Sequence, residues 1–190
     1  MKISHSGICS YITDKLLGED KEDEIQRTKL LYCIDYILSE LEHIIFFTVI
    51  FGSAGYLREY VMCWIAIGIT RVYIGGIHMK TKEACFIFSF WVYLISIVLG
   101  QVAMVSWTGK LLVGAACLII LWSFAPFPSP QRPVYSDRKK REFRVKGSAG
   151  IVVVTVYALS RGHGMDCVIW ILILQLIESV YVILKERLQI

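Results

Sequence analysis

The chain has 190 residues, 56% of them apolar, with a mean hydropathy of +0.59 and a formal net charge of +4. A soluble domain interleaves its apolar positions with charge. Here they come in runs approaching the ~20 residues that cross a hydrocarbon core of about 30 Å, which excludes an ordinary soluble domain and points to an all-α, polytopic membrane protein.

The N-terminal stretch "MKISHSGICSYITDKLLGEDKEDE" is rich in charge and lacks the apolar core of a signal peptide. Within it, residues 3–17 bring Ile8, Tyr11, Ile12 and Leu16 near one face at helical spacing. Such an amphipathic helix either lies on the inner membrane surface or packs on the protein's own loops. Apolar stretches then run from Leu30 to Phe51, Tyr56 to about Thr70, Cys85 to Trp107, Leu111 to Phe124, Ile151 to Leu159 and Val168 to Leu184. The fifth is short and borrows residues from Gly147 onward. Six crossings follow, within a single integral membrane domain over residues 1–190. "GSAG" at 52–55 reads as a tight turn. Residues 125–147, "APFPSPQRPVYSDRKKREFRVKG", read as a Pro-broken inner loop whose basic run lies against anionic headgroups.

Charge placement orients the crossings, because loops on the cytoplasmic side carry the excess of Lys and Arg. With both termini inside, 17 of the 20 basic residues fall on the inner side. They lie in residues 1–29, 71–84, 125–147 and beyond 184, leaving Arg58, Lys110 and Arg161 outside. An odd number of crossings breaks this pattern.

Six cysteines occur without any CxxC spacing, so neither a disulfide framework nor a zinc site has a signature. No metal, other cofactor or nucleic acid is expected. Three His–Cys pairs stand out: His5 with Cys9, His163 with Cys167, and His78 with Cys85. The first two have the i,i+4 spacing of helix neighbours, but one sits near a terminus and the other in the outer loop "RGHGMDC" beside Asp166. The third lies where an inner loop meets the third crossing. If Thr81 caps that helix, Cys85 falls in its first turn, where the positive end of the dipole favours a thiolate. On one straight helix His78 and Cys85 would stand about 10.5 Å apart along the axis, too far for the roughly 3–3.5 Å of a working pair. A dyad therefore requires "MKTKEA" to bend back, with Gly75 and Gly76 supplying the freedom. The competing interpretation is a solvated histidine and a buried cysteine opening a helix.

The stretch "RVYIGGIHMKTKEAC" resembles the signature of the accessory gene regulator B (AgrB) family of bacterial membrane cysteine endopeptidases, matching it at Arg71, Gly76, His78 and Cys85. Ala125–Pro126, Pro133, the basic run "RKKREFR" and a carboxylate in the last crossing, Glu178, extend the resemblance over essentially the whole chain. The "MKTK" after the histidine departs from some relatives and bears on substrate preference. The resemblance implies a multi-pass protein of the bacterial cell membrane with its active site toward the cytoplasm. Cys85 would be the nucleophile and His78 the general base. The enzyme would cut the acidic C-terminal tail from an autoinducer precursor with an amphipathic leader, and the acyl-thioester on Cys85 would close to a thiolactone or lactone signal for quorum sensing. It also implies a homodimer among membrane lipids. Arg71 then binds substrate carboxylates, orients the loop, or simply anchors topology. Gln175 and Glu178, costly in lipid, face the interior and pair with each other, with a neighbouring helix or with a second subunit. A non-enzymatic exporter of a signal peptide is the alternative function, and an adaptor without chemistry a third; the absence of an internal repeat argues against a transporter.

Overall fold

The computed structural model describes residues 5–17, 24–77, 81–124 and 136–188. They form α1 (His5–Leu17), α2 (Glu24–Ser53), α3 (Leu57–Tyr73), α4 (Lys82–Val102), α5 (Trp107–Ser123), α6 (Asp137–Ser160) and α7 (Asp166–Leu188), with a 3₁₀ turn at Gly162–Met165. No strand occurs among the described residues. The chain clusters into two compact units, residues 1–50 and 51–190.

In the first unit, Arg27 donates from Nε and Nη2 to Oδ1 of Asp14 at 3.2 and 3.1 Å, and the Cys9 thiol reaches Asp35 at 3.8 Å. Cys9 and Thr13 are buried, whereas Ile8, Tyr11 and Leu16 are exposed. The apolar side of α1 is thus turned outward, as an interfacial helix requires.

The second unit is built around α7. Its residues Cys167, Val168, Ile169, Ile171 and Leu172 are all buried, not just one stripe of them, the mark of a helix enclosed by others. Its neighbours are α3, α4, α5 and α6. Lipid tails are as apolar as leucine, so helices in a bilayer associate through close backbone approach at small residues. Gly100 of α4 meets α7 this way, since a Cβ there would lie 2.5 Å from the backbone nitrogen of Cys167. Gly114 of α5 similarly makes room for Thr155 of α6, and Gly147 of α6 for Tyr73 and Leu121.

Residues 82–102, 137–160 and 162–185 are each long and apolar enough to cross a membrane, and α5 is an apolar helix of 17 residues. The protein is an all-α membrane protein. Two boundaries differ from the sequence expectation. The third apolar stretch does not run to Trp107: α4 stops at Val102, and Ser106 caps α5 by accepting from Gly109 N–H at 3.2 Å. The basic run after the prolines is helical, not loop. Ser136 caps α6, and Glu142 pairs with Lys139 at 3.5 Å and Lys146 at 2.6 Å, the i,i+3 and i,i+4 contacts that support a charged helix. Residues 125–135 of the expected loop lie outside the described residues.

Lys110, assigned by charge to the outer side, is fully buried in the first turns of α5. Its Nζ pairs with Asp166 Oδ1 at 2.6 Å and donates to the carbonyls of Ala158, at 3.2 Å, and Gly162. Asp166 also accepts from Val105 N–H at 2.9 Å and meets His163 Nδ1 at 3.1 Å. One ion pair therefore ties the starts of α5 and α7 to the end of α6.

Two stability predictions follow from these contacts. Gly100→Ala forces α4 and α7 apart, with an expected loss of about 1–3 kcal/mol visible as a lower unfolding midpoint in detergent. Lys110→Met strands a buried carboxylate and should cost about 3–5 kcal/mol. The double variant Lys110→Met/Asp166→Asn should recover much of that loss in the same unfolding measurement, and additive losses would contradict the pairing.

Candidate active site

The site forms where α3 ends and α4 begins. The last turn of α3 closes with Ile74 N–H on Thr70 O at 2.8 Å and Gly75 N–H on Arg71 O at 3.1 Å. Gly75 then takes φ +107°, a conformation that L side chains rarely adopt, so the helix stops and the chain turns. The carbonyl of this corner accepts a hydrogen bond from Nε2 of buried Gln175 on α7 at 2.8 Å. One turn further along α7, Glu178 receives Arg71 Nη2 on both carboxylate oxygens, at 3.1 and 3.0 Å. Gly76 lies against this ion pair: a Cβ there would sit 3.1 Å from Arg71 Nε and 3.4 Å from Glu178 Oε2. A side chain at residue 76 would press on the pair.

On the far side of the loop, Thr81 is the N-cap of α4, and its Oγ1 accepts from Ala84 N–H at 3.2 Å. The Cys85 N–H makes the first intrahelical bond, to Thr81 O at 3.1 Å. Cys85 is half-buried. Both expectations about this helix start hold: Thr81 caps it, and Cys85 lies at the end of its first turn. His78 lies outside the described residues. Because α3 ends at Tyr73 and α4 begins at Lys82, positions 78 and 85 do not share a helix.

The structure thus brings Arg71, Gly76, Gln175 and Glu178 into one cluster. Gln175 and Glu178 do not pair with each other; each holds one part of the α3 terminus. The remaining His–Cys pairs are separated by their contacts. Cys9 bonds Asp35, and the side chain of His5 lies outside the described residues. His163 engages Asp166, at 3.1 Å, and Cys167 is buried. Among the described residues no group of three His, Cys, Asp or Glu side chains could hold a metal ion.

A feature without a sequence signal is an apolar groove of about 300 Å³ between α4 and α7. Phe88, Trp91 and Ile95 line one wall and Leu174, Ile177 and Tyr181 the other, with Ile77 at its end. Among the described residues, Glu178 is its only charged lining residue.

The accessory gene regulator B family matches residues 6–179, and the chain belongs to that family. It is also similar to an AgrB-like protein of Clostridium beijerinckii, with 24% identity over 184 residues, 96% of this chain and 89% of that protein. No solved structure matches. Family membership ties the chain to the accessory gene regulator system of autoinducer-peptide processing.

The ion pair generates an asymmetric prediction. The Glu178 side chain is 6% exposed and that of Arg71 28%. Arg71→Ala leaves a closed-off carboxylate, whereas Glu178→Ala leaves a guanidinium that can reach polar surroundings. Arg71→Ala should therefore cost about 2–4 kcal/mol, between the values for exposed and buried pairs, and Glu178→Ala clearly less, by unfolding in detergent. Equal losses would contradict this.

Proposed function

We propose that this protein is a membrane-embedded cysteine endopeptidase that matures an autoinducer precursor. The observation that carries the proposal is that Cys85 stands on a capped helix start while the end of α3, seven residues before His78 in sequence at Arg71, is held by Gln175 and the Arg71–Glu178 pair. Firm anchoring on either side of the segment is the kind of positioning that nucleophilic catalysis needs.

In this mechanism His78 takes the Cys85 proton and the thiolate attacks the carbonyl of the scissile bond. The tetrahedral intermediate collapses as the leaving amine recovers that proton from the imidazolium. The N-terminal part of the peptide remains as a thioester on Cys85, and the tail departs. An internal thiol or hydroxyl of the peptide then attacks the thioester, closing a thiolactone or lactone and returning Cys85 as a thiol. Exchange of one thioester for another is nearly neutral in bond energy, so the site must exclude water until the ring closes. The basic residues from Arg138 to Lys146 on α6 suit the attraction of an acidic tail. Six crossings with both termini in the cytoplasm, in the bacterial cell membrane, place the site where a ribosomal precursor arrives. A homodimer is the assembly proposed for it.

Co-expression with a precursor peptide tests this reading. Cys85→Ala and His78→Ala should each abolish cleavage, whereas Cys167→Ala should leave it intact, as judged by mass spectrometry of the peptide. A peptide linked to Cys85 through a hydroxylamine-labile bond is the expected intermediate. Normal processing by Cys85→Ala would sink the proposal.

A further inference from the structure

We propose that the groove between α4 and α7 seats the apolar side chains on the acyl side of the scissile bond, the half of the peptide that stays on Cys85. This rests on the peptidase reading above and adds the location and chemistry of its specificity site.

Three observations converge on it. First, two of its lining residues lie close in sequence to the proposed pair. Phe88 follows Cys85 by one turn of α4, a rise of about 4.5 Å, and Ile77 is the chain neighbour of His78. Second, its size of about 300 Å³ is at the small end of ligand pockets and suits a side chain or two, not a folded partner. Third, its only charged lining residue among those described, Glu178, is already engaged by Arg71. An apolar group therefore enters without stranding a charge, whereas a carboxylate or ammonium would lose its water and gain no partner.

The acyl half, not the leaving half, is the occupant because the two have opposite needs. The thioester must be held away from water until the internal nucleophile arrives, and an apolar groove that begins one turn beyond Cys85 and continues between α4 and α7 suits this. The tail has to leave toward the loop.

The test uses the full chain in lipid nanodiscs and three reagents, the chloromethyl ketones of N-acetyl-glycine, N-acetyl-leucine and N-acetyl-phenylalanine. Each alkylates the thiolate of Cys85, forming a carbon–sulfur bond and expelling chloride. Labelling of Cys85 is followed by mass spectrometry, and each rate is divided by that of iodoacetamide, which carries no side chain. The leucine reagent should react at least about tenfold faster than the glycine reagent, the discrimination an apolar pocket gives. Ile177→Trp, at a position 59% exposed, fills the groove and should erase that ratio. Phe88→Ala enlarges it and should shift preference toward the phenylalanine reagent. A ratio near one in the wild type, as when lipid or a second copy fills the groove, would overturn the inference. So would a ratio that survives in both variants. Failure of the peptidase reading looks different: the precursor would still be cleaved by Cys85→Ala.

Discussion

A helix enclosed on every side has no water to satisfy its polar groups, so each one it carries must find its partner inside the protein. The core helix α7 meets this constraint near both ends. Asp166 pairs with Lys110, and Glu178, twelve residues and about 18 Å further along, pairs with Arg71. Between them the helix is apolar until Gln175, whose amide goes to Gly75. These ties do more than balance charge. They fix the rotation and height of α7 against α3 and α5, where purely apolar packing in lipid would allow sliding.

The site is a consequence of that fixation. The end of α3 is held by two side chains from one face of α7, so the position where the chain leaves the helix is set from outside the loop. Gly75 provides the backbone turn, and Gly76 leaves space for the ion pair beside it. The start of α4 is set independently, by the Thr81 cap. The segment between them is thus bounded by one end tied to α7 and one capped helix start.

Much of this was legible in the sequence because local rules govern it. A threonine four residues before an apolar run reads as a cap, and paired glycines read as a corner; both are local chemistry. Six apolar runs correspond to the six helices from α2 to α7. The helical character of 137–147 was hidden because clustered charge resembles a loop, and its Glu142 pairs matter only once the helix exists. Lys110 looked like a loop cation because its partner is 56 residues away in sequence. The Arg71–Glu178 pairing and the groove were likewise invisible, since both depend on how α7 lies against α3 and α4. The chemistry assigned to His78 and Cys85 came from resemblance, and no spacing rule would have supplied it.

The contact between Gly100 and Cys167 has a mechanical meaning. The two helices run antiparallel, with backbones touching at one end and the groove opening toward the other. That contact acts as a fulcrum, and Cys85, fifteen residues away on α4, rides on a lever arm of roughly 22 Å, where a tilt of about 3° moves it ~1 Å. A displacement of that size is enough to separate a productive nucleophile from an idle one. Whatever fills the groove therefore bears on the angle of the lever as well as occupying space, so groove filling and the position of the sulfur are one mechanical variable.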